Sequence, residues 1–168
     1  MKNIFISLLI ILFTCSCWNT EEKHLAALHG KTININQFID SINGQSLPQH
    51  KHRLVVYIDS NDCFSCILDI NAWRLFEKRI YKRTNQNIDI SFIVSPIYEH
   101  TIKDIKFNNL YNIYIDTNYN FKKVHQLPDN FMYRTLLLDA HNRVTIIGNP
   151  LFNSKIEELI CKALCNNN

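Results

Sequence analysis

Three stretches of the chain are built around runs of apolar residues. Residues 53–60 (RLVVYIDS), 88–95 (IDISFIVS) and 134–139 (RTLLLD) have the β-branched and aromatic content of buried strands. The third is followed by Ala140-His141-Asn142 and a further apolar run at 144–148, which predicts a hairpin with Asn142 in a left-handed turn position. Between the first two strands the period changes. Cys66, Ile70, Trp73 and Ile80 recur at helical spacing and predict one helix over residues 63–80 with a single face on the sheet. Ile102 and Ile105 place a second helix over 99–109, residues 112–116 read as a short strand, and Phe121 and Val124 mark a short helix after it. A capping box at Ser154 and Glu157 opens a last helix that runs to about Leu164, with Ile156, Leu159, Ile160 and Ala163 on its buried face. Residues 32–38 are a candidate for one more strand, and the pattern contains no internal repeat.

The first seventeen residues follow a different logic. Lys2 gives a short positive start, and residues 4–13 are apolar except for Ser7, a run that suits a signal-peptide core and is short for a bilayer span. The run ends in Leu12-Phe13-Thr14-Cys15-Ser16-Cys17, which resembles the lipobox of bacterial lipoproteins. In that resemblance the lipidated cysteine becomes the first mature residue. Cys17, preceded by the small Ser16, fits better than Cys15, preceded by Thr14. The other readings of this stretch are an ordinary cleaved signal and a retained anchor. All of them place the domain outside the cytoplasm, facing the periplasm or the cell surface, where disulfides persist. Residues 18–30, with Glu21, Glu22, Lys23 and His24, then read as a polar tether, and residues 31–168 as one domain.

Composition narrows the classes of function. A chain of 168 residues with 46% hydrophobic and 20% charged positions is long enough for one domain with a sizeable core. A net charge of +3, without any dense basic patch, gives no reason to expect nucleic acid as a partner. Six cysteines are too few and too irregularly placed for a disulfide scaffold. The order strand, helix, strand, helix, hairpin, helix is that of an α/β thioredoxin-like sandwich, a central mixed β-sheet flanked by helices, here with a strand-helix insert before the final hairpin.

The candidate chemistry lies at Cys63-Phe64-Ser65-Cys66, where the first strand turns into a helix. A cysteine at a helix N-terminus meets unpaired backbone N–H groups that favour the thiolate, and a second cysteine three residues on can close a disulfide with it. Zinc sites use the same spacing but need two more ligands. Cys161 and Cys165 are poor candidates for these, since they lie on the last helix, remote from the dithiol edge in the usual topology. Four apart on a regular helix, their Cβ atoms stand about 5–6 Å from one another, beyond the roughly 3.5–4.5 Å of a disulfide, so they pair only if the helix end frays. The histidines lie in the tether (His24, His29), in the loop around Lys51 (His50, His52) and on predicted surface elements (His100, His125, His141). No metal site or cofactor is expected.

VVYIDSNDCFSC and, about seventy residues later, TLLLDAHNRVTIIGNP together resemble the membrane-tethered thioredoxin-like lipoproteins of Gram-negative bacteria, in the branch related to peroxiredoxins and cytochrome-maturation thioredoxins. The likeness runs over roughly residues 50–165, and the insert at 112–127 suits that branch. It implies Cys63 as the attacking cysteine and Cys66 as the resolving one, with Phe64, Ser65, Tyr133 and Arg134 near the substrate. It implies protein disulfides as substrates, in the reducing direction, because oxidants of this fold usually add a helical domain. A membrane electron donor and a lipid-anchored location would follow.

Three departures stand out. Asp62 replaces the tryptophan before the first cysteine, and is a candidate N-cap. Tyr133 and Arg134 stand where the family has a cis-proline. Tyr57 occupies about the place of the family's buried acid, with Asp59 nearby as either an acid or a solvated strand end. The copper-delivery members of this fold pair two cysteines with a distant histidine, for which His125 would serve, but they space the cysteines one residue wider. Peroxidase chemistry needs a threonine and a proline ahead of its cysteine, and Ser60-Asn61-Asp62 supplies neither. The alternative to exchange is a redox-silent lipoprotein of the same fold that binds a partner in the envelope.

Overall fold

The computed structural model describes residues 20–35, 39–41, 52–104 and 111–166. The candidate signal sequence and both lipidation candidates, Cys15 and Cys17, lie outside these, as does the end of the predicted 99–109 helix. The elements run α1 (Thr20–Leu28), β1 (Ile39–Ser41), β2 (Arg53–Ile58), α2 (Phe64–Ile67), α3 (Ile70–Thr84), β3 (Asp89–Val94), α4 (Glu99–Asp104), β4 (Asn112–Asp116), α5 (Asn120–His125), β5 (Thr135–Leu138), β6 (Val144–Ile147) and α6 (Ser154–Cys165).

The strands form a six-stranded sheet in the order β1-β4-β3-β2-β5-β6. β2, β3 and β4 are parallel, with Val56 opposite Phe92 and Phe92 opposite Ile113, while β1 and β5 join the parallel block antiparallel at its two sides. β5 and β6 form the predicted hairpin, and Asn142 takes its left-handed position at φ 58°.

Period-two alternation divides the interior into two layers. Leu54, Val56 and Ile58 of β2 face one way, with Phe92 of β3 and Ile113 of β4, against Trp73, Phe76 and Ile80 of α3 and Ile160 and Leu164 of α6. Val55 and Tyr57 face the other way, with Ile93, Tyr114 and Leu136, against Phe121 of α5 and the chain that carries Leu28, Ile33 and Ile35. With both faces covered, the middles of the central strands, Leu54–Ile58 and Phe92–Val94, carry apolar and aromatic side chains on both sides, as parallel strands do in such sheets.

Four sequence expectations change. The helix expected over 63–80 is two helices. Asp69 accepts hydrogen bonds from the backbone N–H groups of Asn71 and Ala72, so it caps α3 and ends the preceding turn. The indole N–H of Trp73 donates to the Ile67 carbonyl at 2.8 Å and satisfies the end of α2. Secondly, α6 is capped by Asn153 rather than Ser154, and Leu159 is 48% exposed while Cys161 is 6% exposed, so the buried face is rotated towards Ile160, Cys161 and Leu164. Thirdly, the extra strand is Ile39–Ser41, and within 32–35 only Thr32 makes a bridge, to Arg143. Fourthly, residues 20–28 of the expected tether are helical. Most of α1 is exposed, but its end is joined to the domain, because Leu28 is buried and Gly30 N–H donates to the Val144 carbonyl at 2.8 Å.

Candidate functional site

β2, inside the sheet, ends at Ile58, and residues 59–62 turn the chain into α2. Cys63 is the N-cap of α2 in an extended conformation, and its carbonyl accepts the N–H groups of Cys66 and Ile67, both at 3.1 Å. One helical turn thereby brings the two cysteines to a Cα separation of 5.2 Å, and their sulfurs are bonded to each other. Both residues are exposed. Ser65 Oγ stands 3.8 Å from Cys63 Sγ. The bonded sulfur carries no proton, so the hydroxyl is the donor.

The turn is held from two sides. On one, Tyr98 of a 3-10 turn over Pro96–Tyr98 shares its hydroxyl between the carbonyls of Asp62 at 2.9 Å and Ser60 at 3.2 Å, and its ring stacks on Phe64 with centroids 4.6 Å apart. Burial, together with the nearby charges of Asp62 and Asp59, pushes the Tyr98 hydroxyl above the usual phenol range. On the other side lies a charged network. The Arg134 side chain is 3% exposed and reaches Asp62 at 2.7 Å, Asp59 at 3.0 Å and the Asp129 carbonyl at 2.8 Å. Lys122 of α5 reaches Asp59 at 2.6 Å and Asp129 at 2.8 Å. Burial alone would raise the Asp59 carboxyl, but the Lys122 hydrogen bond, the Ser60 amide and the charges of Lys122 and Arg134 outweigh it and hold it below the usual range. Burial likewise disfavours the Lys122 cation, yet its two carboxylate partners raise it overall. Beside the network a cavity of about 360 Å³ opens between Ser60, Asn61, Tyr119, Lys123 and Gln126.

Of the residues singled out in the sequence, the fold gathers Cys63, Phe64, Ser65 and Cys66 in this one turn. Tyr133 is half-buried in a 3-10 turn over Phe131–Tyr133 that leads into β5. Arg134 follows it with its carbonyl accepting from the Tyr57 N–H at 2.9 Å, and the described residues contain no cis peptide bond. Asp62 is not the helix cap. One carboxylate oxygen accepts the Asp59 N–H at 2.7 Å and the other faces Arg134, so the group is turned away from α2. Asp59 is not a solvated strand end either, being 5% exposed. Tyr57 donates its hydroxyl to Asp116 at 2.9 Å, and Asp116 also accepts the N–H groups of Phe121 and Lys122, which ties the sheet to α5. Lys122, Asp129 and Tyr98 were not singled out in the sequence. Tyr98 and Asp129 sit in segments without periodicity, Lys122 lies on the short helix marked by Phe121 and Val124, and only the chain fold brings the three to the turn.

His125 is not on the surface as expected. It is 4% exposed, packs edge-on to Phe121 with centroids 4.6 Å apart, and burial holds its imidazole below the usual range. Among the described residues no group of three or more His, Cys, Asp and Glu side chains is placed to hold a metal, and no helix is long and apolar enough to cross a membrane.

No protein-family model matches the chain, and no curated protein matches it in sequence. Solved structures do. The thioredoxin domain of a thiol-disulfide oxidoreductase from Bacteroides vulgatus aligns with 79% of this chain and 97% of its own, at 14% identity and a TM-score of 0.50. A domain of a possible thiol-disulfide isomerase from Cytophaga hutchinsonii aligns with 84% and 97%, at 12% identity and 0.51. The fold is thioredoxin-like. Yeast Sco1 with copper bound shares it as well, over 81% of this chain and 92% of its own, at 11% identity and 0.52. At such identities the likeness is one of architecture, so the chemistry of this thioredoxin-like domain must be argued from its own residues.

Proposed function

We propose that the protein exchanges disulfides with other proteins outside the cytoplasm, in the reducing direction, with Cys63 as nucleophile and Cys66 as resolving thiol. The observation that carries this reading is the bonded, exposed pair at the end of a central strand, with Cys63 at the start of the helical turn. In the reduced protein the Cys63 thiolate attacks one sulfur of a client disulfide. A mixed disulfide forms, and the client's other sulfur leaves as a thiolate and takes up a proton. Cys66, having lost its proton to solvent, then attacks Cys63 Sγ and releases the client's second sulfur. The client gains two electrons and the Cys63–Cys66 disulfide returns, to be reset by an external dithiol donor at the membrane. The apolar leader with its lipobox supports tethering through Cys17 or, in the other frame, Cys15.

A second reading, a redox-silent binding module of the same fold, is favoured by one observation. The position before β5, where the cis-proline members of this fold present backbone to substrate, here holds Arg134, whose side chain is 3% exposed and committed to Asp59 and Asp62. Trapping separates the two. With insulin as a model protein disulfide, the reduced Cys66→Ser variant should accumulate a dithiothreitol-sensitive covalent adduct at Cys63, and the Cys63→Ser variant should form none. No adduct with Cys66→Ser would overturn exchange in favour of binding.

A further inference from the structure

Asp62 directly precedes Cys63, and a carboxylate there should oppose a Cys63 thiolate by like-charge repulsion. The structure shows how that opposition is removed. The Asp62 side chain is 7% exposed, with one oxygen on the Asp59 amide and the other on Arg134 at 2.7 Å. Arg134 reaches it from the far side of the site, from the position just before β5. Three carboxylates (Asp59, Asp62 and Asp129) face two cations (Arg134 and Lys122), and without Arg134 they would face one. Local charge carries extra weight here. Asp69 ends α2 after four residues, so few aligned peptide dipoles stand behind Cys63.

We infer that Arg134 is a positioning residue for the dithiol: it neutralises Asp62, holds that carboxylate back against the loop after β2, and so sets how readily Cys63 loses its proton to solvent. The inference rests on the reading of Cys63 as the attacking thiol. The charged and titratable groups that bear on this turn are Asp59 and Asp62 in its own loop, Lys122 on α5, Asp129 in the loop after α5, Arg134 before β5 and Tyr98 after β3. Loss of Arg134 leaves Asp62 uncompensated and works against the thiolate. Loss of the Asp62 charge removes the carboxylate next to Cys63, leaves two carboxylates facing two cations, and works for it. The two substitutions therefore move Cys63 in opposite directions, which a merely structural contribution would not do, since damage to the turn has no reason to reverse sign.

The test is the pH profile of iodoacetamide alkylation at Cys63 in the reduced full chain, read cysteine by cysteine by mass spectrometry. Arg134→Gln should slow Cys63 near neutral pH by about tenfold, the equivalent of roughly one unit in its pKa. Arg134→Lys should recover part of the rate. Asp62→Asn should shift the profile to lower pH, and the double variant should return towards wild type. Equal profiles, or shifts of the same sign in Arg134→Gln and Asp62→Asn, would overturn the inference. If Arg134→Gln does not fold, Asp62→Asn decides alone: an unchanged or slower Cys63 refutes it. Alkylation needs no client, so opposite shifts in a protein that turns over no disulfide would keep the positioning role and refute the exchange function instead.

Discussion

Among the described residues two cysteine pairs make an instructive contrast. Cys63 and Cys66 are three residues apart, exposed and bonded, whereas Cys161 and Cys165 are four apart and free, the first buried and the second exposed. The backbone accounts for the difference. Cys63 stands at the cap of a turn, with extended dihedrals, and its side chain can swing over the one that follows. Cys161 and Cys165 lie within the twelve regular residues of α6, whose pitch keeps their sulfurs apart. Surroundings separate the pairs as well. Cys161 packs into the layer with Trp73 and Ile160, and burial pushes its thiol above the usual range, while the Cys63 turn rests on charges. Cysteine spacing alone therefore does not decide which pair bonds; the local backbone does.

The largest test of that contrast is turnover. Cys63→Ser should abolish dithiothreitol-driven reduction of insulin, and the double variant Cys161→Ser/Cys165→Ser should keep it within about twofold, because its changes lie outside the machinery and a single buried thiol is a small hydrophobe. Loss of turnover in the double variant would erase the distinction between the pairs. Next in size is the difference inside α6. In the folded protein iodoacetamide should modify Cys165 more than about tenfold faster than Cys161, since reaction at the buried thiol waits for local opening. The two rates should converge in urea, and equal rates without urea would contradict the burial of Cys161. A smaller effect concerns the break that makes the dithiol turn a turn. Asp69→Ala removes the α3 cap and should lower the urea midpoint by the equivalent of about 1 kcal/mol, and an unchanged midpoint would show that the cap does not hold the break.

The smallest effect is a pH dependence. The Asp59 carboxyl is depressed in the folded state, so its contribution to stability is present above the ordinary carboxylate range and is lost as pH falls through the depressed value. The stability difference between wild type and Asp59→Asn should therefore shrink as pH drops below about 4. A difference that stays constant down to pH 3 would show that Asp59 owes its effect to packing rather than charge.

Much of this architecture was legible in the sequence because it rests on period and composition. The apolar runs around Val56, Phe92 and Leu137 became β2, β3 and β5, the strand at residues 112–116 has the expected bounds, and Trp73 and Ile80 are core residues. The dithiol was legible because two cysteines at a strand-to-helix junction leave few interpretations. What escaped the sequence was whatever depends on competition between nearby groups. Asp69 and Asp62 are both acids close to a helix start, and only the arrival of Arg134 from 72 residues away decides that Asp62 is drawn off while Asp69 caps the next helix. Likewise Leu159 and Cys161 are near neighbours on α6, and which of them is buried depends on how α6 is turned against the rest of the domain. α6 is joined to α3 by the Arg79–Glu157 ion pair at 2.8 Å, between segments with no local signal for each other.

Whether the Cys63–Cys66 pair exchanges is decided by its equilibrium reduction potential, measured by thiol-trapping across a dithiothreitol or glutathione series. Structural disulfides in secreted proteins typically lie below about −300 mV, and exchange-active pairs lie above it. An exposed pair over a charge-compensated turn is predicted to fall in the upper range, with Cys63 alkylated faster than Cys66 once reduced. A pair that stays oxidised to the bottom of the series, or two thiols that do not couple at any potential, would contradict the account and leave a thioredoxin-like domain that binds without exchanging.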